Sequence, residues 1–115
     1  MQSARVDALF REAEENLSIL FLPDSAVFET VFVLDRAYRR PKVAIAEAML
    51  SIVEAPFIET EFVERLRVAL SLFARYNLSF GDACLSAAAL ESPPNEVISF
   101  DRDFDRIPGI TRIEP

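Results

Sequence analysis

Four short apolar runs, set into a chain of otherwise helical periodicity, limit what these 115 residues can become. The runs LSILFLP (17–23), APFIE (55–59), EVISF (96–100) and ITRIE (110–114) suit buried or edge strands better than helices, since each is brief and bounded by turn or charged residues. Helical patterns lie between them. The first spans 3–16, with Ser3 as its cap and Val6, Leu9, Phe10 and Ala13 on one stripe. The next runs from Asp24 or Ser25 to Tyr38, and a third, opened by Pro41, covers 42–54. Thr60 caps a long helix carrying Phe62, Leu66, Leu70 and Phe73, and Ser79 caps an alanine-rich one that ends near Leu90 before Pro93 and Pro94. Residues 101–107 read as a turn of helix or a loop. Helices alternating with short strands predict an α/β layer fold with a parallel sheet, in one domain.

Composition then removes whole classes of chemistry. The chain has no histidine, so Ser-His-Asp triads, Cys-His pairs and the usual mixed zinc sites are excluded together. Only Gly81 and Gly109 are glycines, which excludes glycine-rich nucleotide loops. A net charge of -7 argues against a broad basic surface for nucleic acid, though not against a contact bridged by metal. Cys84, the lone cysteine, sits where a small apolar filler is expected. No apolar run reaches the ~20 residues of a membrane span and the first residues lack a signal-peptide layout, so a cytoplasmic location is expected. Any enzymatic chemistry here falls to carboxylates.

Three of those carboxylates sit oddly. Glu29 lies in the apolar run AVFETVFVL, a pattern that predicts a side chain in or beside the core, held either by an arginine such as Arg36 or by a cation. Asp82 follows Ser79 at capping-box spacing, so a cap explains it as well as a site does. Asp101 follows the carboxyl end of a strand, where open α/β sheets keep their ligands. Asp101, Asp103 and Asp105 alternate as in a calcium loop, but Arg106 and Arg112 occupy the places of its glycine and bidentate glutamate, which leaves a solvated turn as the alternative. Convergence on one hard divalent cation explains all three places together.

With these residues in hand, the sequence resembles a PIN domain of the VapC type, the toxin half of toxin–antitoxin pairs. AVFETVFVL resembles the family's helix with an inward glutamate. ALSLFARYNLSFGDACLSAAAL resembles its long helix, capping serine, aspartate and alanine-rich helix, and VISFDRDFDRIPGI its strand followed by Ser/Thr-x-Asp and Asp-Phe. The resemblance implies a three-layer α/β fold, a short parallel sheet flanked by helices, and a metal-dependent endoribonuclease using Mg²⁺ or Mn²⁺. It carries the metal roles to Glu29, Asp82 and Asp101, with Asp103 as an outer member and Ser99 orienting an acid or a water. Arg39, Arg40, Lys42 and Arg102 become candidates for steering RNA. A VapB-like antitoxin and a homodimer are the implied partners.

The family also opens with a central strand ending in aspartate, for which these 115 residues have no counterpart. Residues 1–115 are accordingly read as one PIN-like domain truncated at its N-terminus relative to the family, self-associating through exposed edges and impaired in activity. Two readings of other classes stand beside the ribonuclease: a noncatalytic module binding an antitoxin or itself, and a helical scaffold whose odd acids are ion-paired.

Overall fold

A computed structural model describes residues 3–16 and 18–115. The elements run α1 (Ser3–Glu15), β1 (Leu20–Phe21), α2 (Asp24–Arg36), α3 (Lys42–Val53), β2 (Ile58–Glu59), α4 (Val63–Tyr76), α5 (Phe80–Leu90), β3 (Glu96–Ile98), a 3₁₀ turn (Arg102–Arg106) and β4 (Thr111–Ile113). The result is a mixed α/β chain, mostly helical, with short parallel strands. The expected apolar stripe of α1 is exposed at Leu9, while the side chains of Ser3, Val6, Phe10 and Ala13, and all of Leu17, lie outside the described residues.

The core forms where four helices meet. α2 buries Val27 and Val31, α3 buries Ile45 and Met49, and α4 contributes Leu66, Leu70 and Phe73. Ala69 of α4 and Ala83 and Ala87 of α5 are buried as well, and side chains this small let the two helices approach closely. Arg65 of α4 braces the far end of α5 through Glu91 at 2.7 Å. Asn95, with φ 64°, closes α5 by donating its side-chain amide to the carbonyls of Ala89 and Leu90.

Two features differ from the sequence expectation. Thr60 does not cap α4: the helix starts at Val63 behind an uncapped Phe62, and the Thr60 hydroxyl is buried without a hydrogen-bond partner among the described residues. The strands form two separate parallel pairs, β1 with β2 and β3 with β4, rather than one sheet. Each strand therefore has one edge with no neighbouring strand among the described residues. Along β3 and just beyond it, Val97 and Ser99 are partly covered, whereas Ile98 and Phe100 are 73% and 70% exposed. Ile19 and Phe21 show the same at β1. Apolar side chains on both faces are the mark of strands built to be covered on both sides.

Candidate metal centre

The three aspartates that come together arrive from two places. Asp82 stands in the first turn of α5, where the Ser79 hydroxyl accepts its backbone N–H at 3.1 Å. That contact is the helix cap expected from the spacing, and it also fixes where the carboxylate starts. Asp101 and Asp103 follow β3. The Ser99 hydroxyl accepts the Asp101 N–H at 3.0 Å, and Asp101 Oδ1 accepts the Asp103 N–H at 2.9 Å. A serine and an aspartate two residues apart thus fold the chain back by side-chain-to-backbone bonds.

One carboxylate oxygen from each of Asp82, Asp101 and Asp103 lies within 4.8 Å of the others. Partial burial pushes the Asp82 carboxyl above its usual range. Its hydrogen bond with Asp101 and the negative charges of Asp101 and Asp103 push it further, against a smaller lowering by Ser79. Like charges gathered in this way favour either a shared proton or a cation. A hard cation such as Mg²⁺ takes oxygens at about 2.1 Å in an octahedron, so adjacent ligands stand roughly 3.0 Å and opposed ligands roughly 4.2 Å apart, and these three oxygens must draw together to bind it directly or else hold it through water. The donor set, all oxygen and all anionic, fits Mg²⁺ or Mn²⁺.

These carboxylates line an open cleft of about 540 Å³ together with Asp35, Lys42 and Ser79. Cations lining the cleft, and others paired with the nearby acids, are already engaged, Arg36 lying 3.8 Å from Asp35. Lys42 Nζ donates to the Leu78 carbonyl at 2.6 Å, lies 3.5 Å from Asp35 and sits 4.3 Å from the centre of the Phe73 ring. Arg106 donates to the Tyr76 carbonyl at 2.7 Å and pairs with Asp103 at 3.3 Å. Arg112 holds Asp105 at 2.9 Å and the Ser99 carbonyl at 3.2 Å, which keeps Asp105 out of the group.

Glu29 is exposed, correcting the expectation that it points into or beside the core, and it is not among the grouped carboxylates. The reason is rotational. α2 buries Val27 and Val31, one turn apart, and Glu29, two residues from each, falls on the opposite side of the helix. Arg39, Arg40 and Arg102 are exposed, whereas Lys42 is partly buried and committed to protein partners rather than free on the surface. Asp35 and Arg106 escaped the sequence reading. Their only signals were an aspartate seven residues before Lys42 and an arginine in the place where a calcium loop needs glycine.

The sequence profile of the PIN domain matches residues 3–110. A VapC ribonuclease of Aquifex aeolicus (strain VF5) is 26% identical over 110 residues, covering 96% of this chain and 81% of that protein. No solved structure gives a significant match. No helix among the described residues is long and apolar enough to cross a membrane.

Proposed function

The chain belongs to the PIN domain family, and from that premise we propose that it carries the site of a VapC-type, metal-dependent endoribonuclease. One observation carries the reading: Asp82 and the Asp101–Asp103 pair, distant in sequence, bring their carboxylates within 4.8 Å on the wall of one open cleft. The VapC ribonuclease relative supports the choice of RNA as substrate.

In this reading Asp82, Asp101 and Asp103 hold Mg²⁺ or Mn²⁺. When bound, the ion supplies positive charge to the scissile phosphate and acidifies water for in-line attack. The protein's own part is positional. Ser79 fixes the backbone of Asp82, and Ser99 fixes that of Asp101, so both side chains start from set positions. The exposed Arg39, Arg40 and Arg102 are proposed to draw the RNA backbone towards an otherwise negative cleft.

The free edges and exposed apolar faces of β1 and β3 support two further elements of the proposal. One is pairing with a further strand, for which the family resemblance, rather than the edges, implies a terminal aspartate. The other is association with a VapB-like antitoxin or a second copy, for which uncovered edges are suited. The same edges favour, as a second reading, a module that binds partners without cleaving RNA.

Cleavage of a mixed RNA pool separates the two readings. The ribonuclease reading expects Mn²⁺-dependent cleavage, slow in the 115-residue chain, faster in a chain extended by an apolar strand ending in aspartate, and abolished by Asp101→Asn. Cleavage that survives Asp101→Asn would place the chemistry elsewhere, and an extended chain that binds a partner but never cuts would favour the noncatalytic module.

A further inference from the structure

The turn that delivers Asp82 is gripped twice. α4 ends at Tyr76, Asn77 turns the chain with φ 53° and ψ 46°, and Leu78 is fully buried before Ser79 caps α5. A helix carboxyl end leaves carbonyls without donors and attracts cations. Here the two carbonyls flanking Asn77 are taken by cations from opposite parts of the sequence: Tyr76 by Arg106, at the end of the 3₁₀ turn, and Leu78 by Lys42, the first residue of α3. Each cation also holds an acid of the cleft, Arg106 pairing with Asp103 and Lys42 with Asp35. Lys42 is fixed further by the Phe73 ring beneath it.

We propose that Lys42 and Arg106 are positioning residues of the carboxylate site, clamping the Tyr76–Leu78 turn from two sides and so setting where Asp82 stands relative to Asp101 and Asp103. The chain of contact is short. The turn leads directly into Ser79, whose hydroxyl and carbonyl accept the N–H groups of Asp82 and Ala83. Movement of the turn therefore moves the start of α5 and the carboxylate on it. Arg106 adds a second link, because the group that holds the turn also holds Asp103.

Electrostatics alone predicts the opposite behaviour. Removing a cation from the rim of an acidic cleft favours binding of another cation. A positioning role predicts that losing either cation weakens the metal, because the ligands no longer converge. The sign of the effect therefore separates the two.

The inference rests on the metal reading of the cleft, so its test has one arm that needs no metal. Amide hydrogen exchange of Asp82 and Ala83 is measured by NMR on the metal-free chain for Lys42→Met, Arg106→Met and Lys42→Arg. Arg65→Met serves as control, since it breaks the Glu91 brace at the far end of α5. Loss of one charged hydrogen bond should speed exchange at those two amides about tenfold beyond the control, with Lys42→Arg near the unsubstituted rate. Calorimetric titration with Mn²⁺ alone should then show affinity lowered several-fold in both methionine variants and restored in Lys42→Arg. Exchange no faster than in Arg65→Met overturns the clamp, and faster exchange with Mn²⁺ affinity unchanged or improved overturns the positioning role. If exchange responds as expected but the unsubstituted chain takes up no Mn²⁺, the clamp stands and the metal reading falls.

Discussion

Asp101 Oδ1 accepts the backbone N–H of Asp103 at 2.9 Å, so the first acid after β3 folds the chain that presents the second. The arrangement explains how three aspartates at every second position serve different ends. Asp101 shapes the turn and faces Asp82, Asp103 joins them while paired with Arg106, and Asp105 is drawn away by Arg112.

Crowding at Asp82 makes the metal-free site a burden on stability. The folded state holds the Asp82 proton more tightly than the unfolded chain, because burial and the neighbouring Asp101 raise its pKa. The contribution of this group to stability is therefore most favourable below the usual carboxylate range. It falls as pH rises from there to the raised folded value, and the penalty persists above that. Asp82→Asn should melt higher than the unsubstituted chain at neutral pH without metal, and the gap should close as pH falls through this interval. Thermal unfolding from acid to neutral pH checks it.

Glu29 offers a sharper test of the ligand set. Because it stands exposed and outside the grouped carboxylates, Glu29→Gln should leave Mn²⁺ affinity of the 115-residue chain within about twofold, while Asp101→Asn lowers it at least tenfold. Equal losses in calorimetric titration would mean that Glu29 swings into the site on binding.

The Ser79 cap carries both fold and site. Ser79→Ala removes the acceptor for the Asp82 N–H and should cost about 1 kcal/mol in urea unfolding. Ser79→Thr, which keeps a capping hydroxyl without adding charge to the cleft, should recover most of that loss.

Sequence patterns reached most of the helices for physical reasons that are local. Periodicity marks the buried stripe of α4, and Ser79 bonds to backbone three residues away, so its role is written in spacing, whereas that of Ser99 came only with the family resemblance. The clamp was not legible, because Lys42 meets Leu78, and Arg106 meets Tyr76, across more than 29 residues of chain. Glu29 was misread for another reason. The run around it is apolar on almost every face, but Phe28, Phe32 and Val33 are themselves exposed, so an apolar surround in sequence did not mean a buried one. Nor did four apolar runs disclose that they would pair two and two, since register and order depend on which strands are present to bridge them.

The central claim is that Asp82, Asp101 and Asp103 hold a divalent cation, and the thermal midpoint titrated with Mn²⁺ tests it most directly. A ligand that binds only the folded state stabilises by about 2.7 kcal/mol at a hundredfold excess over its dissociation constant. The account predicts a midpoint that climbs with Mn²⁺ concentration in the unsubstituted chain and stays flat in Asp82→Asn and Asp101→Asn. A midpoint indifferent to Mn²⁺, or one that climbs equally in both variants, would contradict it.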